Sequence, residues 1–256
     1  MEKHYQGYLI DLDGTIYLGK EVIPAGKRFV ERLQELKLPF LFVTNNTTKT
    51  PEAVADRLAT EFDIHVPSKA VYTASLATMD YMKEQNKGNK VYVIGESGLV
   101  DLILSAGFEW DEEQPDYVVV GLDTDINYEK FALAALCIRK GATFIGTNPD
   151  KSIPTERGLL PGAGSFISLI QTATQTDPIM IGKPNAIIMN EALKVMKLNK
   201  EDVIMVGDNY ETDIQSGLQN GIDSLLVLSG FTAKSAVPTL PEQPTYVVDN
   251  LDEWTF

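Results

Sequence analysis

The 256-residue sequence carries 36 acidic against 22 basic side chains, a formal charge of -14, and a field of that sign repels polyanions, so nucleic acid is not an expected partner. One cysteine, Cys137, allows no intrachain disulfide, which argues against a secreted disulfide scaffold. No apolar run approaches about eighteen residues and the opening Met1-Glu-Lys-His4 is no signal peptide, so no membrane association is expected and the cytoplasm is the expected compartment.

In chain order, stretches 8–10, 40–43, 91–94, 117–120, 143–145, 203–206 and 224–228 are apolar on both faces, as strands buried in a parallel sheet are. Amphipathic segments separate them, so the fold class is α/β. Residues 51–62 read as a helix, with Thr50 as its N-cap and Pro51 at its first position. Cys137 lies in the apolar helical stretch 131–138, the setting of a packing thiol rather than a nucleophile. The polar stretches 83–90 and 174–178 bracket a middle segment with its own strand and helix alternation, which reads as a domain inserted into the first.

Chemistry concentrates where apolar runs end. Run 8–10 leads into Asp11-Leu-Asp13-Gly14-Thr15, and run 203–206 into Gly207-Asp208 with Asp213 beyond. Ligands of open parallel sheets bind beyond the carboxyl ends of the strands, and a turn explains one Asp-Gly but not its recurrence at a second strand end. Two acidic strand ends form a hard-oxygen site of the kind magnesium prefers. Run 40–43 ends in Thr44-Asn45-Asn46, where a hydroxyl and polar backbone suit phosphate oxygens, and Lys183 precedes Pro184-Asn185 at a predicted helix start, where ammonium and helix N-terminus both favour an anion.

Together Asp11-Leu-Asp-Gly-Thr15, Thr44 with Asn45-Asn46, Lys183, and Gly207-Asp208 with Asp213 resemble the four ordered motifs of the haloacid dehalogenase superfamily. The Thr-Asn-Asn form, Gly146-Thr-Asn-Pro-Asp150, Pro161-Gly-Ala-Gly164 and Ile181-Gly-Lys-Pro184 look like its NagD-like phosphatases of class IIA. The resemblance implies a Rossmann-like doubly wound parallel sheet with an inserted α/β cap of class II. It implies Asp11 as nucleophile, forming an aspartyl-phosphate, and Asp13 as acid and base whose backbone carbonyl also ligates Mg2+. Asp11 and Asp208 would be further metal ligands, with Asp213 behind them. Thr44, Asn45 and Lys183 would bind phosphate.

Asp11 and Thr44 are 33 positions apart and Thr44 and Lys183 are 139 apart, so the insert falls in the second gap. The expected partition is a core of 1–79 and 180–256 with a cap of 80–179. In the cap, Asn148 is a candidate substrate contact, equally readable as an Asn-Pro turn. Gly95-Glu-Ser-Gly98 lacks the glycine fingerprint and the lysine of nucleotide loops and reads as a strand-to-helix turn. His4 and His65 have no zinc-ligand spacing. The expected function is magnesium-dependent hydrolysis of small phosphorylated metabolites, with sugar or acid-sugar phosphates ahead of nucleoside monophosphates. The rival reading is a non-catalytic metabolite-binding module on the same fold. Homo-oligomerisation is compatible with the sequence.

Overall fold

A computed structural model describes residues 3–256. The chain opens with β1 (Gly7–Ile10), a hairpin of β2 (Tyr17–Leu18) and β3 (Glu21–Val22), α1 (Pro24–Glu35), β4 (Phe40–Thr44), α2 (Pro51–Phe62), β5 (Val71–Thr73) and α3 (Ala74–Gln85). The middle contains β6 (Lys90–Ile94), α4 (Ser97–Ser105), β7 (Glu109–Trp110), β8 (Tyr117–Val120), α5 (Tyr128–Arg139) and β9 (Thr143–Gly146). A hairpin of β10 (Ser152–Thr155) and β11 (Gly158–Pro161) follows, then α6 (Ala163–Thr174) and β12 (Ile179–Met180). The chain closes with α7 (Ala186–Met196), β13 (Val203–Gly207), a π-helical turn (Tyr210–Ile214), α8 (Gln215–Asn220), β14 (Asp223–Val227) and β15 (Tyr246–Val248).

The chain divides into two compact units. The first comprises the residues up to Thr44 with Pro51–Tyr72 and Lys183–Phe256; the second comprises Asn45–Thr50 and Thr73–Gly182. The contact boundaries therefore fall at 72/73 and 182/183, against 79/80 and 179/180 read from the sequence. The polar stretches that suggested those edges are turns inside the second unit, where α3 and α6 end on Asn86 and Gln175 in the left-handed region.

In the first unit a six-stranded sheet runs β15-β14-β13-β1-β4-β5. The pairs of β1 with β13 and β4, of β13 with β14, and of β14 with β15 are all parallel. Strand period two divides the buried side chains between the faces. Tyr8, Ile10, Phe42 and Val206 join Phe29 and Leu33 of α1 and Leu58 of α2 in one cluster. Leu9, Leu41 and Met205 are buried on the other face, towards α7, whose end reaches the sheet where Gly7 leaves room for Met196. Pro24 starts α1, and buried Ala25, Phe29, Val30 and Leu33 mark its inner stripe.

The second unit has its own five-stranded sheet, β12-β9-β8-β6-β7, with parallel pairings throughout. Its core brings Tyr92, Ile94, Val118, Val120 and Phe144 against Ala134, Cys137 and Ile138 of α5 and Ile167 and Ile170 of α6. No helix among the described residues is long and apolar enough to cross a membrane.

Candidate active site

Strand β1 lies between β4 and β13, and the chain winds outward from it in both directions. The space beyond the carboxyl ends of these three strands is therefore a topological switch point, where open α/β sheets form ligand crevices. Ile10 pairs with Phe42 on one side and with Val206 on the other, so Asp11, Thr44 and Asp208 all leave the sheet at this edge. The Asp11 N–H continues the ladder to the Val206 carbonyl at 2.8 Å.

Lys183 enters this edge from the far end of the sequence and is only 2 % exposed. Its Nζ donates to Asp11 Oδ1 at 2.5 Å and to Asp213 Oδ1 at 2.7 Å. Carboxylate oxygens of Asp11, Asp208 and Asp213 lie within 4.8 Å of one another. The π-helical turn Tyr210–Ile214 carries Asp213 back towards β13, and Asp213 also accepts the Asn209 N–H at 3.1 Å. Asp208 accepts the Thr15 hydroxyl at 3.3 Å on Oδ1 and the Phe231 N–H at 2.5 Å on Oδ2. Gly14 makes this approach possible: its φ is +94°, and a Cβ there would lie 2.2 Å from Asp208 Oδ2.

Burial pushes the Asp11 carboxyl well above the usual carboxylate range, and the Asp213 charge adds to that, against the pull of Lys183. Burial and the Asp213 charge likewise raise Asp208 to about 6. Burial alone would lower Lys183, but the Asp11 and Asp213 carboxylates outweigh it and hold the ammonium charged. Three carboxylates surround one ammonium, so full ionisation leaves two negative charges unbalanced. A hard divalent cation fits this all-oxygen donor set and would supply the missing positive charge.

The structure thus brings Asp11, Lys183, Asp208 and Asp213 together, with Asp213 bound to Lys183 and its carboxylate within 4.8 Å of the other two. The Asp13 side chain is exposed and accepts the Gly19 N–H at 3.3 Å, closing the β2–β3 hairpin. Its carboxylate is not in the three-aspartate group; the atom expected to ligate was its backbone carbonyl. Thr44 is buried at the end of β4.

Asn45 and Asn148 meet within the second unit. Asn148 Nδ2 donates to the Asn45 carbonyl at 3.0 Å, its Oδ1 accepts the Asp150 N–H at 3.2 Å, and Asn45 Nδ2 donates to Asp150 Oδ1 at 3.2 Å. Asn148 is buried, with its amide spent on holding the 45–50 segment to the 147–150 turn. Asn148→Ala is expected to cost about 1–3 kcal/mol of stability, because it removes two part-buried hydrogen bonds worth about 0.5–1.5 kcal/mol each; chemical denaturation measures the loss.

Sequence reasoning gave no role to Thr15 or Phe231. Thr15 lies within the Asp11–Thr15 motif, but Phe231 acts through its backbone N–H, and the only signal beside it is Gly230, three residues beyond β14. His65 is exposed and paired with Asp63 at 3.1 Å. Cys137 is buried, and burial pushes its thiol up. Gly95 and Glu96 make the turn from β6 into α4, which begins with Ser97 and Gly98.

A family model described as haloacid dehalogenase-like hydrolase matches residues 8–109, and a HAD-hydrolase-like model matches residues 180–254. The chain is 48 % identical to the 5'-nucleotidase YutF of Bacillus subtilis (strain 168) over 252 residues, covering 98 % of each chain. It is 47 % identical to the acid sugar phosphatase of Staphylococcus aureus (strain USA300) over 252 residues, 98 % of this chain and 97 % of that one. The crystal structure of a double-mutant thermostable NPPase from Geobacillus stearothermophilus is similar at a TM-score of 0.93 and 46 % identity, covering 99 % of each chain. With its motifs assembled at one sheet edge and relatives of this identity along its whole length, the chain belongs to the haloacid dehalogenase-like hydrolases, among their NagD-like phosphatases.

Proposed function

We propose that this chain is a magnesium-dependent phosphatase of small phosphorylated metabolites that works through an aspartyl-phosphate on Asp11. The observation that carries the reading is the buried Lys183 ammonium bridging Asp11 and Asp213 beside Asp208. Such a site holds a carboxylate, a phosphate-attracting cation and a hard-metal donor set at one strand edge.

An Asp11 carboxylate oxygen attacks phosphorus and the ester P–O bond breaks, while the Asp13 carboxylic acid protonates the departing alkoxide. The Asp13 carboxylate then takes a proton from water as that oxygen attacks phosphorus, the Asp11–phosphorus bond breaks, and inorganic phosphate leaves. Splitting hydrolysis this way replaces one difficult step with two easier ones, and positioned acid–base help contributes about 10²–10⁴-fold. Lys183 orients Asp11 through its 2.5 Å contact and, with Thr44 and Asn45, binds the phosphoryl oxygens. Asp11, the Asp13 carbonyl and Asp208 would hold Mg2+, with Asp213 supporting them. When bound, the ion offsets the negative charge shared by carboxylate and phosphate.

The second unit, inserted between Thr44 and Lys183, acts as the substrate-selecting cap, since the phosphate contacts above are the same for every ester. Sugar and acid-sugar phosphates are the first expected class. A 5'-nucleotidase at 48 % identity favours nucleoside monophosphates as the second. The test is phosphate release from sugar phosphates, acid-sugar phosphates, nucleoside monophosphates and p-nitrophenyl phosphate, with magnesium and with chelator. Turnover that needs magnesium is expected. A folded protein that binds these esters without releasing phosphate would turn the reading into that of a binding module.

A further inference from the structure

We infer that Thr232 is a positioning residue for the metal site, acting through a clamp formed by residues 229–232; this rests on the reading of Asp208 as a metal ligand. The clamp follows β14 and grips both acidic strand ends of the first unit. Ser229 Oγ donates to the Gly14 carbonyl at 2.7 Å, immediately after Asp13. The Phe231 N–H holds Asp208 Oδ2 at 2.5 Å, and the Thr232 N–H donates to the Asp208 carbonyl at 3.1 Å. Thr232 Oγ1 accepts the N–H of buried Tyr210 at 2.9 Å, at the start of the π-helical turn that carries Asp213. One threonine therefore ties Asp208 by its main chain and the Asp213 turn by its hydroxyl.

Gly230 sets the fit between clamp and carboxylate. Its φ is not in the left-handed region, so its backbone does not by itself demand glycine, yet an added Cβ would lie 2.0 Å from Asp208 Oδ2 and 2.8 Å from Gly14 Cα. The space denied to a side chain there is the space the Asp208 carboxylate occupies. Groups that orient a ligating carboxylate are worth about 10–100-fold in metal affinity, and a ligand keeps its productive geometry only as well as the residues supporting it are themselves held in place.

The experiment uses the full chain stripped of metal, with Mg2+ affinity measured by isothermal titration and the Mg2+ dependence of p-nitrophenyl phosphate turnover measured in parallel. Thr232→Val, which deletes the acceptor for the Tyr210 N–H, and Gly230→Ala are each expected to weaken Mg2+ about 10–100-fold. Thr232→Ser, which keeps the hydroxyl, is expected to restore wild-type affinity. Turnover by Thr232→Val should recover at saturating Mg2+ more fully than at limiting Mg2+. Wild-type Mg2+ affinity in Thr232→Val, even with a lowered melting temperature, would make the clamp merely structural and overturn the inference. That result stands alone if Gly230→Ala fails to fold. A wild-type chain that does not bind Mg2+ would overturn the reading of Asp208 itself, and the inference with it.

Discussion

Asp11→Asn is expected to lower turnover about 10⁴-fold or more, because the amide keeps the carboxylate's shape but cannot attack phosphorus, and losing a nucleophile removes the whole covalent route. The same substitution is expected to stabilise the metal-free protein at neutral pH. Burial and the neighbouring Asp213 hold the folded-state pKa of Asp11 well above the ordinary carboxylate value. An acid whose pKa rises on folding costs stability above its unfolded pKa, and the cost grows as pH rises through that window. Removing the charge therefore removes the cost, while the amide oxygen still accepts from the Lys183 ammonium. An inactive variant that melts above the wild type in chelator at pH 7, with the gap closing in acid, is the predicted pairing. Appreciable turnover by purified Asp11→Asn would contradict the covalent mechanism.

Lys183→Ala is expected to damage stability and catalysis together. The ammonium is 2 % exposed and bridges two carboxylates, at 2.5 Å and 2.7 Å, and removing one partner from a buried ion pair costs about 3–5 kcal/mol, since the remaining charges stay buried unpaired. Loss of a preorganised cation at the transferring phosphoryl group lowers kcat by about 10²–10³-fold. With Lys183 proposed to bind the phosphoryl group, common to every ester, kcat/KM is expected to fall by a similar factor for sugar phosphates, nucleotides and p-nitrophenyl phosphate. Thermal melts together with kinetics on that panel check both effects. A variant that reordered the substrates instead would move substrate selection into the Lys183 environment.

The parts legible in the sequence share a physical cause. Strands buried on both faces announce themselves as unbroken apolar runs, so β1, β4, β6, β8, β9, β13 and β14 were readable from composition alone, with the last displaced by one residue at each end. The strands β7 and β12 have two residues each, β15 is half-buried, and the β10–β11 hairpin is largely exposed, so none carries a buried run to read. β5 is buried but only three residues long, too short for periodicity to speak. The acidic strand ends were legible because carboxylates directly after buried strands are costly without a purpose.

The placement of Asn45–Thr50 with the second unit was not legible, since it depends on Asn148 and Asp150, about a hundred positions away. Asn148, a candidate substrate contact equally readable as an Asn-Pro turn, uses its amide to bind the Asn45 carbonyl and the Asp150 N–H. The clamp around Asp208 works mostly through main-chain N–H groups, which leave no signature in residue type beyond a glycine that cannot accept a side chain.

The most direct test is chemical trapping at Asp11. Protein mixed with p-nitrophenyl phosphate and Mg2+, quenched in acid and reduced with borohydride, should yield homoserine at position 11 in peptide mass spectra, because borohydride reduces an acyl phosphate but not a free carboxylate. The signal should vanish in Asp11→Asn and rise in Asp13→Asn, which lacks the proposed base for hydrolysis of the aspartyl-phosphate. Phosphate release at full rate with Asp11 unreduced, or homoserine at another aspartate, would contradict the aspartyl-phosphate mechanism.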